Sequence, residues 1–234
     1  MSMLVLTAHG SADPRSAASA HEVAQTIRSV RRDVDVRVAF CEQNSPNLRD
    51  VLAAAPGDAV VVPLLLADAY HARVDIPAMI DASGSGARQA DVLGEDDRLV
   101  HVLRQRLTHA GVSHLDPGLG VLVTAVGSSR AQANARTAKV ADYLVQLTHW
   151  TATTAFATGP RPSLAEAADV LRSRGATRLV IAPWFLAHGR ITDRVAEYAR
   201  TQQILMAQPL GPHRLVAETV LDRFDEMAAA RAAA

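Results

Sequence analysis

The second half of this 234-residue sequence repeats motifs of the first half in the same order. Residues 6–11, LTAHGS, recur as VTAVGS at 123–128, an offset of 117 residues, which is half the chain. Two further pairs follow: AF at 39–40 with SPNL at 45–48 matches AF at 155–156 with RPSL at 161–164, and VPLLLA at 62–67 matches APWFLA at 182–187. This period exceeds the roughly 20–50 residues of solenoid units and indicates a duplicated domain. We therefore predict two similar lobes, 1–112 and 119–234, joined near the turn signal DPG at 116–118.

The composition excludes several classes of protein. The chain has 24 basic and 24 acidic side chains, and a formal net charge of zero argues against a strongly cationic nucleic-acid-binding surface. The longest apolar stretch, 60–67, is interrupted by Pro63 and is far shorter than the roughly 20 residues of a membrane-spanning helix. Residues 1–6 lack the charged start of a secretory signal. We expect a cytoplasmic protein with no membrane segment and no nucleic-acid partner.

The chain contains one cysteine, Cys41. A single thiol excludes an internal disulfide framework, and it also excludes a four-cysteine zinc site or an iron–sulfur cluster built by this chain alone. Any metal that the chain binds must therefore use histidine, aspartate or glutamate.

Short β-branched or leucine-rich runs alternate with helical stretches in each half. The first half predicts strands at 3–8, 35–40, 59–66 and, weakly, 90–93, with helices at 17–31, 46–55, 73–80 and 98–107. The second half predicts strands at 120–125, 151–157, 178–183 and 203–207, with helices at 131–147, 163–174, 190–200 and 212–230. This alternation is typical of α/β folds with a parallel sheet and helices on both faces. Two such lobes would face each other across a cleft.

Polar side chains follow three predicted strands of the first half. His9 follows the first strand, Glu42 the second, and the pair Tyr70 and His71 lies in the loop after the third. If the strand order is 2-1-3-4, these strands are neighbours about 4.8 Å apart. The carboxyl ends of such strands are where doubly wound sheets bind ligands. His9, Glu42 and His71 then form a candidate divalent transition-metal site or proton-acceptor set.

The second half lacks these groups. The positions that correspond to His9, Glu42 and His71 are Val126, Thr158 and Ile191, none of which binds metal. The asymmetry indicates one lobe that kept a site and one that lost it, but two structural histidines in one lobe would give the same pattern. His188 and then His213 are the histidines most easily mistaken for site residues.

Three segments together resemble the sirohydrochlorin chelatases, which are class II, ATP-independent tetrapyrrole chelatases. They are LTAHGSADPR at 6–15, VAFCE at 38–42 and PLLLADAYHARVDIP at 63–77. The similarity extends over essentially the whole chain, because 183–194 and PLGPH at 209–213 resemble the second half of the family. The His-Gly-Ser start and the Tyr-His block are the most specific of these motifs.

The resemblance implies two tandem flavodoxin-like lobes, with a tetrapyrrole bound in the cleft and a metal-handling group of His9, Glu42 and His71. Because sirohydrochlorin bears eight carboxylates, we expect cationic side chains and hydrogen-bond donors around it. The candidates are Ser11, Arg15, Tyr70 and Arg73 in the first lobe and Ser128, Arg130 and Arg190 in the second. The amides after Gly10, at a helix start, could also receive an anion. The pseudo-twofold duplication supplies both walls of the cleft from one chain, so a monomer is expected.

Metal insertion removes two pyrrole protons and replaces the water shell of the ion with four nitrogens. Neutral imidazole can accept a proton or bind the ion, so His9 is the expected principal group, with His71 and Glu42 completing a weak site. No prosthetic group is expected, and the metal is a substrate. Fe²⁺, toward sirohaem, is the first expectation, and Co²⁺, toward cobalamin, is the second. A tetrapyrrole carrier without turnover and an unrelated flavodoxin-like binding module remain alternatives.

Overall fold

A computed structural model describes residues 2–55 and 57–232. The elements of the first half are β1 (Ser2–Ala8), α1 (Pro14–Val30), β2 (Val34–Phe40), α2 (Leu48–Ala53), β3 (Val60–Pro63), a π-helical turn (His71–Asp75), α3 (Ile76–Ser83), β4 (Arg88–Gln89) and α4 (Asp97–His109). Those of the second half are β5 (Leu119–Ala125), α5 (Ala131–Val145), β6 (Thr151–Phe156), α6 (Leu164–Ser173), β7 (Arg178–Pro183), α7 (Arg190–Thr201), β8 (Leu205–Met206) and α8 (Arg214–Ala232). No helix in this part of the chain is both long enough and apolar enough to cross a membrane.

The strands form two four-stranded parallel sheets with the same order. The first sheet runs β2-β1-β3-β4 and the second β6-β5-β7-β8, so the order 2-1-3-4 considered above is the observed one. The predicted α/β fold with two similar halves is confirmed. In the first sheet, Leu4 of β1 lies opposite Val36 on one side and Val60 on the other. Strands buried on both faces carry continuous apolar sequence, as LVL at 4–6 and VVV at 60–62 do.

Each sheet is covered by helices on both faces. Beneath one face of the first sheet, β1 residues such as Met3 and Val5 pack with Leu48, Leu52 and Ile76 of the helices α2 and α3. The helices α1 and α8 cover the other face, since α1 contacts β1 and β2 while α8 contacts β3 and α1. The second sheet is covered in the same way, with α6 against β5 and β6, and with α5 and α4 on the strands β5, β6 and β7.

The chain forms two compact units that differ from its sequence halves at their last helices. The first unit comprises 1–94 and 212–234, and the second comprises 95–211. Helix α4, which ends the first repeat, therefore belongs to the second unit, and α8, which ends the second repeat, belongs to the first. The lobes 1–112 and 119–234 describe the two sequence repeats, and as domains they stay a prediction.

Three predicted elements of the first half differ from those observed. The third strand, predicted at 59–66, comprises only Val60–Pro63, after which Leu64 donates one further backbone hydrogen bond to Thr7. The fourth strand was expected at 90–93 but lies at Arg88–Gln89, because the apolar residues that follow are buried without extending the ladder. Ala90 and Leu93 still donate single backbone hydrogen bonds to Val61 and Leu65. The helix expected at 73–80 starts instead with the π-helical turn and continues as α3 to Ser83.

We expect Phe224→Ala to destabilise the first unit, although residue 224 belongs to the second sequence repeat. Phe224 is 2% exposed on α8, which packs on α1 and β3. Truncating a buried phenylalanine typically costs about 3–5 kcal/mol of unfolding free energy. Native-state hydrogen exchange checks this: the amides of β1 and β3 should lose more protection than those of β5 and β7.

The matched variant is Leu107→Ala on α4, because Leu107 is fully buried and belongs to the second unit. It should have the reverse effect, with the larger loss of protection in β5 and β7. Loss of protection in the sheet of the same sequence repeat, for either variant, would contradict the assignment of the two helices.

Candidate metal-handling site

The three candidate groups lie at one edge of the first sheet. His9 follows β1 directly, Glu42 lies two residues after β2, and His71 begins the π-helical turn after β3. Because β1 pairs with β2 on one side and β3 on the other, their carboxyl ends are adjacent. The position of all three residues follows from the parallel register.

The side chain of His9 contacts those of both Glu42 and His71. His9 Nδ1 lies 3.4 Å from Glu42 Oε1, and the ring centroids of His9 and His71 are 3.8 Å apart, with their planes inclined by 52°. The side chains of His9, Glu42 and His71 are 38%, 52% and 37% exposed, so all three are open to solvent from one side. His9 Nδ1 is itself buried and makes no hydrogen bond within the described part of the chain. His9 and His71 are therefore not buried structural histidines of the core.

The three side chains are adjacent but do not surround a common point. Among residues 2–55 and 57–232, no group of three or more histidine, cysteine, aspartate or glutamate side chains is arranged to hold a metal ion. The two imidazole rings contact each other, and His71 Nδ1 is engaged by Asp75. That His9, Glu42 and His71 bind one ion together stays a prediction.

Gly10 brings the β1 and β2 loops together. A Cβ atom on Gly10 would lie 1.8 Å from the carbonyl oxygen of Glu42, and the residue has a φ of +99°, which side chains disfavour. Hydrogen bonds fasten the two loops at this approach: the Glu42 amide donates to the His9 carbonyl at 3.0 Å, and the Ser11 amide donates to Asn44 Oδ1 at 2.7 Å. The glycine thus sets the distance between His9 and Glu42.

Asp75 also contacts this candidate site and was not predicted from the sequence. Its carboxylate Oδ2 lies 2.5 Å from His71 Nδ1. The spacing of four residues between them is that of side chains on one helical face, and this was the available signal.

Cys41 lies beside Glu42 but does not supply a thiolate. Burial, reinforced by the charges of Asp75 and Glu42, raises the pKa of the Cys41 thiol to about 11. The side chain belongs to the apolar cluster beneath the first sheet. At neutral pH it is a protonated core residue, so the donors at this edge are nitrogen and oxygen atoms.

The substrate-binding candidates of the first unit surround the same edge. Arg15 pairs with Asp13, which caps α1, and Arg73 pairs with Asp68. Tyr70 is 54% exposed and meets the His71 ring edge-on at a centroid distance of 6.1 Å. The Ser11 hydroxyl accepts from the Asp13 amide at 3.0 Å. The sequence suggested that the amides at the start of α1 could bind an anion. In the structure the Ser11 amide instead donates to Asn44, and the Asp13 carboxylate caps the helix, so these groups are already occupied.

The corresponding edge of the second unit carries no metal-binding side chain at the matching positions. Val126 is 39% exposed there, and a cavity of about 430 Å³ is lined by Gly127, Ser128, Ser129, Ala131, Asn134, Thr158, Gly159 and Pro160. The Ser128 amide donates to Asn134 Oδ1 at 2.9 Å. Arg130 precedes α5 and Arg190 begins α7, and both are exposed.

The two histidines most easily mistaken for site residues have structural partners. His188 Nε2 lies 2.9 Å from Gln208 Oε1, in the second unit. His213 Nδ1 accepts a hydrogen bond from the Leu215 amide at 3.1 Å, at the start of α8.

Gly10→Ala tests the close approach of the two loops. A strained backbone position alone costs about 1–3 kcal/mol of unfolding free energy. The variant should lose more than this, because the added methyl group also overlaps the Glu42 carbonyl. Gly84→Ala is the matched control, since Gly84 has a φ of +64° and no atom within 4 Å of an added Cβ. Urea unfolding of both variants measures the difference, and equal losses of unfolding free energy would refute the role of the contact.

Comparison with known proteins gives one consistent result. The family model described as CbiX matches residues 3–110 and again residues 120–227. A sirohydrochlorin cobaltochelatase of Priestia megaterium is 26% identical over 216 residues, covering 86% of this chain and 69% of the relative. A sirohydrochlorin ferrochelatase of the same organism is 25% identical over 231 residues, covering 91% and 85%.

The fold has solved counterparts. The sirohydrochlorin chelatase SirB from Bacillus subtilis subspecies spizizenii, in complex with cobalt, aligns with a TM-score of 0.76 at 19% identity and covers 97% of this chain and 95% of that one. The two matches to the family model coincide with the two repeats of the sequence. The chain therefore belongs to the CbiX family, and its resemblance to the sirohydrochlorin chelatases is confirmed.

Proposed function

We propose that this chain inserts a divalent metal ion into sirohydrochlorin, with His9, Glu42 and His71 as the reacting group. The observation that carries the proposal is the contact of two imidazoles and a carboxylate at a solvent-open sheet edge of a CbiX-family chain. The second unit, with the same fold and Val126, Thr158 and Ile191 at these positions, has no such group. The names of the two relatives support the same reaction.

The chemistry of insertion fits these side chains. Two pyrrole protons must leave, and His9 is the proposed principal acceptor. The Glu42 carboxylate lies close to it, with Oε1 3.4 Å from His9 Nδ1. His71 and Glu42 add weak ligands for the arriving ion. Partial exposure of all three keeps the ion exchangeable, as a metal that is a substrate requires.

We further propose that exposed cations hold the substrate carboxylates. Arg15 and Arg73 pair with Asp13 and Asp68 at the protein surface. Exposed pairs of this kind are weak, so a substrate carboxylate can replace the aspartate with a bidentate contact. Ser11 and Tyr70 add hydroxyl groups near the same edge. In the second unit, Ser128, Arg130 and Arg190 are the proposed contacts.

Fe²⁺ is the proposed metal and Co²⁺ is the second candidate. Imidazole and carboxylate ligands accept both ions, and affinity rises from Fe²⁺ to Co²⁺, so availability decides between them. The relatives named above include one cobaltochelatase and one ferrochelatase. Anaerobic incubation with sirohydrochlorin and each ion, followed by absorbance spectroscopy, tests the reaction. Many turnovers per protein support a chelatase, a stoichiometric spectral change indicates a carrier, and no change with either ion refutes both.

His9→Ala should lower enzyme-dependent metal insertion by about 100- to 10,000-fold, the usual effect of losing a positioned general base. Binding of sirohydrochlorin should persist, because its carboxylates contact other residues. The measurement is the initial rate of the absorbance change, corrected for spontaneous insertion.

Val126→Ala is the matched control, because Val126 follows β5 as His9 follows β1. It should lower stability modestly and leave turnover nearly unchanged. Near-normal turnover of the His9 variant across pH 6 to 8 with either Fe²⁺ or Co²⁺ would show that His9 has no such role, and His71 or His188 would then be the residue to test.

A further inference from the structure

The hydrogen bond between His71 and Asp75 selects one form of the imidazole. A carboxylate accepts hydrogen bonds and donates none, so the ring nitrogen that faces it, Nδ1, carries the proton. In the neutral ring the lone pair is then on Nε2. A histidine in this form can take a proton or bind an ion through one defined nitrogen.

The backbone that carries this pair is a π-helical turn, a rare conformation that is frequent at functional sites. The Ile76 amide donates to the His71 carbonyl, five residues earlier. The next bond of this kind would need an amide on residue 77, which is a proline. The Ala72 carbonyl accepts instead from Gln89 Nε2 of β4, at 2.7 Å. Pro77 thus removes the next amide donor of the turn, and Gln89 supplies a donor to the carbonyl that this leaves free.

The π-helical turn contains one residue more than the same region of the second unit. The strand ends Pro63 and Pro183 are 120 residues apart. In the helices that follow, Ile76, Met79 and Ile80 pack against the core of the first unit, and Val195, Tyr198 and Ala199 against that of the second. These two sets have the same spacing but are 119 residues apart. The extra residue is taken up between His71 and Ile76.

This shift determines where Asp75 lies. At the strand offset of 120, Asp75 corresponds to Val195, which is 2% exposed in the core of the second unit. The π-helical turn gives the core-facing position to Ile76, which is fully buried, and leaves the Asp75 side chain 29% exposed beside His71. A regular helix would have directed a carboxylate into the apolar cluster. The one-residue insertion therefore serves to place Asp75 against the histidine.

We infer that Asp75 is a positioning residue for His71: it holds the ring in the Nδ1-protonated form and so presents Nε2 to the pyrrole proton or the arriving ion. The expected effect on turnover rests on the proposed function. The expected form of the His71 ring does not. Carboxylate partners of this kind orient metal-binding histidines, and their loss typically costs about 10- to 100-fold in affinity or activity. Asp75 acts through His71 and has no assigned contact with substrate.

The structural consequence is tested without any substrate. Histidine-selective ¹⁵N labelling of the metal-free full chain, in mildly alkaline buffer, shows which ring nitrogen of each neutral histidine bears hydrogen. The signals of His71 are assigned by their absence in His71→Gln. We expect Nδ1 protonated and Nε2 bare for His71, and a mixture of both forms in Asp75→Ala. A bare Nδ1 in the wild-type protein, or the same form in the variant, overturns the inference.

The kinetic consequence is tested by the division of the effect between kcat and KM. Asp75→Ala should lower kcat about 10- to 100-fold and leave KM for sirohydrochlorin nearly unchanged. Glu197→Gln is the control, because Glu197 is an exposed helical carboxylate of α7 that pairs with Arg200 in the second unit. It should change neither value. An unchanged kcat in Asp75→Ala overturns the inference.

The two tests separate this inference from the proposed function. If the wild-type chain inserts neither Fe²⁺ nor Co²⁺, the proposed function fails, and the ring-nitrogen measurement still decides whether Asp75 sets the form of His71. If Asp75→Ala folds poorly, the wild-type spectrum alone retains the power to refute the inference.

Discussion

The parallel pairing of β1 with both of its neighbours is the constraint on which the site depends. Because β2, β1 and β3 run in the same direction and in register, their carboxyl ends lie at one edge of the sheet. The residues that follow them, His9, Glu42 and the π-helical turn, are therefore brought together whatever the conformation of distant parts of the chain. The absence of a side chain on Gly10 then permits the last close approach, which places the His9 and Glu42 loops in direct backbone contact.

Duplication makes the second unit an internal comparison for the first. Both sheets have the same order, and Gly127 repeats the close approach of Gly10, since its Cβ would lie 1.7 Å from the carbonyl oxygen of Gly159. The backbone geometry of the edge is thus kept in the second unit, where the matching histidines and glutamate are absent. What differs is the set of side chains and one residue of backbone after the third strand. The fold supplies the edge, and a few substitutions decide whether it carries reactive groups.

Much of this organisation could be predicted from the sequence, because it rests on local patterns. The repeat at an offset of 117 residues and the alternation of apolar runs gave the two parallel sheets, and strand order placed His9, Glu42 and His71 together. The misplaced fourth strand came from a feature without a local pattern. Ala90 and Leu93 are apolar because they are buried, not because they pair, so the fourth strand was misplaced. The exchange of α4 and α8 between units depends on packing over long sequence distances.

The sequence by itself determined the fold class, the duplication and the identity of the donors at the edge, since these follow from periodicity and from which side chains end each strand. Only the tertiary structure decided that Asp75 faces His71 and that Cys41 is a core thiol with a raised pKa. The sequence contains Pro77, but the π-helical turn also needs Gln89, which approaches only when β4 pairs with β3. Tertiary contacts set the helical phase there because backbone carbonyls must find donors, and one of those donors lies on another strand.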